Sequence, residues 1–325
     1  NSQSGTMGNI EICHGDFNVS SASTLTSSVN QLTLTNSFSV PTGDTDSRIH
    51  CHTAGSIRFN EDLGTLEFYT GDMWKTVNSF KDTGNRGRVI YAGGNPGSSP
   101  STKSDIEFLN ATTLGNSSIF GDLTEAVRNK AGGSSSTRGI FSSGASPDSS
   151  SNTDVIEYVT IPSEGNSIDF GNSTAARRNP GGASNSTRFL TAGGYVSAAS
   201  NIIDYVEINT LGNALDFGDL RISKYYPAGI PSPIRAVFAG GTTPGNTETM
   251  SFVSFASLGN AVNFGELSSG GGNYQSGSAS NGVRGVLGGV YNPSATYINT
   301  IEYLTIASEG NTTHFGSLTV GRNAS

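Results

Sequence analysis

The stretch Arg138-Gly-Ile-Phe-Ser-Ser-Gly144, with Ile156-Glu-Tyr158, Gly165-Asn166 and Phe170-Gly171 after it, decides the fold, because this series of markers occurs five times. Successive Gly-Asn pairs are 50, 47, 47 and 51 residues apart. An arginine opens each apolar run: Arg88, Arg138, Arg188, Arg235 and Arg284. A phenylalanine precedes a glycine near the end of each repeat: Phe120, Phe170, Phe217, Phe264 and Phe315. This regularity predicts five copies of one structural unit.

The repeat length indicates what the unit is. A period near 50 with several short strands is typical of a β-propeller blade, whereas helical repeats would show a 3.6-residue pattern that is absent here. The run from Arg235 to Gly241 is continuously apolar, as expected of an inner strand covered on both faces. Residues 155–161 alternate, so we expect Ile156 to point inward and Glu157 to point to solvent.

The repeat resembles the kelch repeat, in which a strand ending in Gly-Gly is followed by a tyrosine and by an aromatic residue near the end of the last strand. The matching residues are Gly93-Gly94, Gly193-Gly194, Gly240-Gly241, Tyr158, Tyr205 and Tyr303. Phenylalanine stands where kelch repeats usually have tryptophan, and repeats of this form resemble those of phage structural proteins. The resemblance implies an all-β fold: a five-bladed kelch-like β-propeller preceded by a small β-rich N-terminal domain.

The repeats set the expected domain boundaries. The predicted propeller covers residues 78–325, with repeats near 86–127, 128–177, 178–223, 224–270 and 271–325. We expect residues 318–325 to pair into the first blade and close the ring, which would remove open sheet edges. A longer natural chain with more blades is the alternative.

Each repeated residue has an expected structural role. Gly-Asn tolerates the positive φ of a tight turn between the last two strands. The phenylalanine rings are expected to fill the space between blades, and the glycine after each ring to let the next backbone approach closely. The repeated arginines are expected to reach a carbonyl or carboxylate of a neighbouring blade.

Residues 1–77 are predicted to form a β-rich domain for attachment and oligomerisation. Within it, residues 54–60, 65–69 and 73–77 read as three strands separated by turns at 61–64 and 70–72. This short meander resembles one found in phage tail-fibre and related virion proteins, between a shaft and a distal domain.

Composition excludes several function classes. The chain has a net charge of −8 and no Lys/Arg run, so we predict no nucleic-acid partner. No apolar stretch approaches the roughly 18 residues of a membrane helix, so no membrane insertion is expected. The two cysteines, Cys13 and Cys51, lie outside the repeats and do not staple the predicted propeller. Whether they are bonded to each other stays open.

His50 and His52 form the candidate metal site. Two histidines separated by one residue lie on the same face of a strand, and three such pairs in a trimer would offer six nitrogens to one axial ion. Trimeric phage fibres use His-x-His in this way, so the resemblance implies the same use here. The alternative is that both are ordinary polar strand residues and that the protein holds no cofactor.

No catalytic set is predicted. Carboxylates recur beside the aromatic markers, at Asp122, Asp169, Asp216, Asp219 and Glu266. Equivalent positions surround a ring and do not converge as the acid pair of a glycosidase. The repeats hold no cysteine and one histidine, His314, which excludes both the copper chemistry of some kelch-fold oxidases and a Ser-His-Asp triad. We therefore predict that the protein is not an enzyme.

The loops after the Gly-Gly strands vary most between repeats and lie on one face of the predicted ring. They cover residues 95–104, 145–153, 195–201, 242–249 and 291–299. Variable loops on a repeated scaffold are where recognition usually occurs. Tyr195, Tyr291 and Tyr297 are the candidates to stack on sugar rings, and the alternative is that these loops only keep the protein soluble.

These features favour a phage virion structural protein, a tail-fibre or similar appendage subunit. It would assemble in the host cytoplasm and remain on the extracellular particle. The N-terminal domain would contact other virion proteins and form a homotrimer, and the propeller would bind a host-surface glycan or protein. Two alternatives remain: a polysaccharide-active propeller similar to glycoside hydrolases, and a capsid decoration or connector protein without receptor binding.

Overall fold

A computed structural model gives the fold of the protein. It describes residues 40–48, 54–76, 87–97, 101–111, 115–146, 151–245, 247–268, 277–291 and 297–321. The chain divides into two compact units, Asn1–Lys81 and Asp82–Ser325. The described residues form strands and turns and no helix, so the predicted all-β class is confirmed.

The described part of the first unit is one four-stranded sheet. Its strands are β1 (Thr42–Gly43), β2 (Ile57–Asn60), β3 (Thr65–Tyr69) and β4 (Trp74–Thr76), paired in that order. β2, β3 and β4 pair antiparallel as the predicted meander, and β1 adds a parallel edge strand. Gly64 and Gly71, with φ of +59° and +102°, permit the two tight turns.

The second unit contains one sheet for each repeat, named sheet one to sheet five here. Sheet one holds β5 (Arg88–Ala92), β6 (Lys103–Asn110) and β7 (Ser118–Val127). Sheet two holds β8 (Ala131–Ser134), β9 (Arg138–Ala145), β10 (Asn152–Thr160) and β11 (Ile168–Asn172). Sheet three holds β12 (Gly181–Ser184), β13 (Arg188–Ala192), β14 (Ile202–Glu207) and β15 (Leu215–Asp219). Sheet four holds β16 (Ala228–Pro231), β17 (Arg235–Ala239), β18 (Thr249–Ser254) and β19 (Val262–Glu266). Sheet five holds β20 (Gly277–Ser280), β21 (Arg284–Tyr291), β22 (Tyr297–Thr305) and β23 (Thr313–Ser317). Every pairing in these five sheets is antiparallel between neighbours in sequence.

The first strands of sheets two to five lie next to one another in chain order. They are built from small residues because their backbones approach closely. A Cβ atom on Gly229 would collide with the carbonyl of Gly182, and one on Gly182 would collide with that of Gly132. Larger residues would force these strands apart.

The hydrophobic core lies between the sheets. Four clusters of buried side chains join sheets one and two, two and three, three and four, and four and five. A sheet inside this series is therefore covered on both faces. For this reason the expectation that Glu157 points to solvent is wrong: both Ile156 and Glu157 are buried, the latter against sheet one.

The predicted closure into a five-bladed ring is not confirmed. Among the described residues no sheet closes, and sheet one has three strands. The C-terminal segment, expected to pair into sheet one, instead follows its own sheet: the N–H of Leu318 donates to the carbonyl of Asn299 at 2.6 Å. Residues 322–325 lie outside the described residues.

Candidate functional site

The repeated arginines of sheets one to four each donate to a backbone carbonyl of the following sheet. The Nη1–O distances are 2.8 Å for Arg88 to Ile161, 2.7 Å for Arg138 to Ile208, 2.5 Å for Arg188 to Phe255 and 3.1 Å for Arg235 to Ala307. In all five sheets the guanidinium carbon also lies 4.4–5.0 Å from the centre of an aromatic ring on the next strand of its own sheet. The arginines of sheets one to four thus each tie two sheets together.

A second contact, the Gly-Asn latch, joins the turn of each following sheet to the Phe-Gly segment before it. The asparagine Oδ1 accepts a backbone N–H at 3.0 Å in all four interfaces: Asn166 from Asp122, Asn213 from Asn172, Asn260 from Asp219 and Asn311 from Glu266. The turn glycine donates its N–H to the carbonyl of the repeated phenylalanine at 2.7–2.9 Å. A Cβ atom on the glycine after that phenylalanine would collide with the turn, which explains why glycine recurs there.

Among the described residues, the two outer faces of the series lack these contacts. Phe120, Phe170, Phe217 and Phe264 are at most 3% exposed, whereas Phe315 of sheet five is 54% exposed. The expectation that every repeated phenylalanine fills the space between blades therefore does not hold for Phe315, because no described sheet covers it. Arg284 stacks on Tyr303 but is exposed for the same reason.

Buried acids stand after a β-bulge in the long strand of most repeats. Glu157 is paired with Lys130, and Asp204 accepts from Arg177 at 2.7 Å. Burial would raise the pKa of Glu157, but the charge of Lys130 and hydrogen bonds from Lys130, Ser167 and Thr124 lower it below its ordinary value. These ion pairs belong to the interfaces between sheets, since each cation precedes the sheet that carries its acid.

A cleft of about 730 Å³ opens beside sheet one and the segments that lead into β8, β12 and β16. Its polar lining residues are Asn95, Arg128, Asn129, Lys130 and Asn179. Its aromatic lining residues are Tyr91, Phe141 and Tyr226. The size suits a small ligand or a short stretch of a polymer.

Three equivalent residues in the cleft lining have left-handed backbones. Asn129, Asn179 and Tyr226 have φ of 61°, 59° and 61°. The N–H of Asn179 donates to the carbonyl of Asn129 at 3.1 Å, and the N–H of Tyr226 donates to the carbonyl of Asn179 at 2.7 Å. Asparagine adopts this conformation readily, whereas a tyrosine there carries strain. Strain of this kind is typical of residues kept for a functional side chain.

Two of the predicted sugar-stacking tyrosines, Tyr195 and Tyr297, lie outside the lining of this cleft. The ring of Tyr195 packs edge-on against Tyr225 at 5.5 Å and beneath Arg178 at 4.4 Å, and Tyr225 contacts Tyr226 at 5.3 Å. Tyr195 is thus connected to the cleft through two further rings. Tyr297 is half-exposed at the start of β22, and the side chain of Tyr291 lies outside the described residues.

Sequence reasoning missed Asn129, Asn179 and Tyr226. A signal was present, because each stands nine residues after the repeated phenylalanine of its repeat. The segment between Phe-Gly and the next inner strand was not treated as part of a site, and its left-handed conformation is evident only in the structure.

The described lining of the cleft contains no Asp or Glu. In the part of the chain that the structure describes, no group of three or more His, Cys, Asp or Glu side chains could hold a metal ion. His50 and His52 lie outside the described residues, and their use as ligands stays a prediction.

Comparison with protein-family models and with curated proteins finds no match to this chain. Within the described ranges, no helix is long and apolar enough to cross a membrane.

Proposed function

We propose that the Asp82–Ser325 unit is the receptor-binding module of a phage virion appendage and that it binds a host-surface glycan in the cleft. The observation that carries the glycan assignment is the lining, which combines aromatic rings, amide side chains and an arginine without a carboxylate. Sugar rings stack on aromatic faces, and amides and arginine match their hydroxyl groups.

The strained Tyr226 supports this assignment. Asparagine occupies the equivalent positions Asn129 and Asn179, so the fold does not require an aromatic side chain there. A ring retained despite the strain is explained if it contacts a ligand. Tyr91, which is exposed and also lines the cleft, offers a second stacking surface.

The sheets adopt a propeller-type arrangement in this proposal. The side-by-side first strands, the buried core between successive sheets and the repeated contacts between them support it. The N-terminal unit would attach the module to other virion proteins and form a trimer, as the tail-fibre resemblance of its meander implies.

One alternative is a capsid decoration or connector protein without receptor binding. No observation on the described residues favours it over the cleft-based proposal. A polysaccharide-active enzyme is the other alternative, and the absence of carboxylates from the described cleft lining counts against it.

A glycan array probed with the intact, labelled chain tests the proposal. We expect binding to a restricted set of glycans, and we expect Tyr226→Asn to weaken it about tenfold or more, since 1.4 kcal/mol of lost stacking is tenfold in affinity. Asparagine suits the left-handed backbone, so this variant should fold at least as well as the parent chain. Absence of glycan binding, or binding unaffected by Tyr226→Asn and Tyr91→Ala, would exclude the cleft as a glycan site.

A further inference from the structure

Sheet one and sheet five each carry one half of the interface that joins every internal pair of sheets. We propose that sheet five of one molecule binds sheet one of a second copy, head to tail, through a fifth interface of the same kind. The four internal interfaces show which residues such a contact needs on each of the two faces.

The outer face of sheet five presents the Phe-Gly half of the latch. Phe315 is largely exposed. Ser317 holds the position whose backbone N–H donates to an asparagine Oδ1 in the four internal interfaces, from Asp122, Asn172, Asp219 and Glu266. A Cβ atom on Gly316 would meet no atom within 4 Å, whereas at the internal positions it would collide with a Gly-Asn turn. The space for a turn is therefore present and unfilled by any described residue.

The outer face of sheet one presents the Gly-Asn half. Gly115 has φ of +156°, close to the +146° to +152° of the turn glycines at the four internal interfaces. Among the described residues, Asn116 Oδ1 accepts no hydrogen bond. Val89 on this face is 38% exposed, while the equivalent Phe189 and Ala236 are buried against the preceding sheet.

A polar pair completes the match between the two outer faces. In three internal interfaces, the residue four positions after the repeated phenylalanine donates its hydroxyl to the acid of the following sheet. The distances are 2.9 Å for Thr124 to Glu157, 2.5 Å for Thr174 to Asp204 and 2.6 Å for Ser268 to Glu302. Thr319 and Glu107 hold these two positions on sheet five and sheet one.

A second copy of the chain can cover the two exposed outer faces without any change in how the five sheets pack within one molecule. The glycine after each repeated phenylalanine leaves no room for a Cβ atom against the turn of the following sheet, so the internal interfaces fix the step from one sheet to the next. At this step, sheets one and five of one molecule both remain exposed. A contact between two different faces of identical molecules adds copies in one direction, into a closed ring or a filament.

Disulfide trapping tests the contact with the full chain. At the positions equivalent to Thr319 and Ser117, the hydroxyls of Ser268 and Thr312 are 3.3 Å apart. A chain carrying Ser117→Cys is mixed with a differently tagged chain carrying Thr319→Cys, and the mixture is oxidised mildly. Both substitutions leave Phe315 and Asn116 in place. The parent chain and each variant alone are the controls, because Cys13 and Cys51 are native thiols.

We expect a disulfide-linked heterodimer in the mixture above the level of all controls. It should be lost when Phe315→Ser is added to the Thr319→Cys chain, or Asn116→Ala to the Ser117→Cys chain. Two results would overturn the proposal. The first is no heterodimer in the mixture. Closure within one molecule would give this result, and a single chain that carries both substitutions would then form only an internal disulfide. The second is a heterodimer whose yield neither added substitution changes.

Discussion

Lys224 and Ser251 occupy the positions that Arg177 and Asp204 hold as an ion pair one interface earlier. Both Lys224 and Ser251 are fully buried, and the amine donates to the backbone carbonyls of Phe238 and Thr249, at 3.3 Å and 2.9 Å. Within the described residues, Lys224 pairs with no carboxylate and Ser251 Oγ has no hydrogen-bond partner. The interface between sheets three and four thus has the cation of the repeat without its acid.

Restoring the acid should stabilise this interface. Ser251→Asp places a carboxylate near Lys224 and Arg221. In sheet three, Asp204 holds the equivalent position and accepts a hydrogen bond from Arg177. We expect the free energy of unfolding at pH 7 to rise by about 1–2 kcal/mol, measured by denaturant titration. Ser251→Asn is the matched control, because it has similar size without charge and should give no gain. Equal effects of the two substitutions would show that charge pairing is not the missing feature.

The pH dependence of stability should report the burial of Lys224. Burial, with repulsion from Arg221, lowers the pKa of Lys224 from 10.5 to about 7. Between these values the unfolded chain binds a proton that the folded chain does not, so the contribution of Lys224 to stability increases as pH rises from 7 to about 10.5. Lys224→Met removes this dependence. Below pH 7, the free energy of unfolding of the variant should exceed that of the parent chain by a few kcal/mol, and this difference should shrink toward pH 10.5. A difference that is constant with pH would contradict the account.

The repeated phenylalanines should differ in their contribution to stability. Phe217→Ala removes a buried ring between sheets three and four and should cost about 3–5 kcal/mol. Phe315→Ala, at an exposed equivalent position, should cost less than about 1 kcal/mol in dilute protein. Thermal melting of both variants at low concentration measures the contrast. Similar losses would mean that Phe315 is covered in solution even within one molecule.

The Gly-Asn latch should contribute to stability only where it is engaged. Asn260→Ala removes the acceptor of the Asp219 N–H and should lower the free energy of unfolding by about 1 kcal/mol. Asn116→Ala, on the outer face of sheet one, is the matched control and should have little effect in dilute protein. Denaturant titration of the two variants measures the change in the free energy of unfolding. An equal loss in both variants would show that the Gly-Asn latch does not stabilise the interface.

The sequence predicts much of this fold because its markers act locally and recur. The order Arg, Gly-Gly, Gly-Asn and Phe-Gly sets strands and turns, and a period near 50 separates one sheet from the next. Closure of the ring could not be predicted from the sequence, because whether sheets one and five meet depends on the small rotation between neighbouring sheets. Alternation likewise failed for Glu157, because a strand covered on both faces can bury polar residues when a cation such as Lys130 lies opposite.

The binding cleft was less predictable than the fold. Reasoning from variable loops selected Tyr195, which contacts the cleft only through other rings, and missed Tyr226. The cleft lining comes from short segments of successive repeats that are far apart in sequence, and their convergence depends on how the sheets pack. The left-handed conformation shared by Asn129, Asn179 and Tyr226 also could not be predicted from residue type at Tyr226, because tyrosine rarely adopts it.

The most direct test of the central claim is the affinity of the intact chain for its best glycan, compared with that of Tyr226→Asn at matched fold stability. The account predicts glycan binding by the parent chain and a loss of about tenfold or more in the variant, with an unchanged or higher melting temperature. Equal affinities, or no glycan bound by the parent chain, would contradict it.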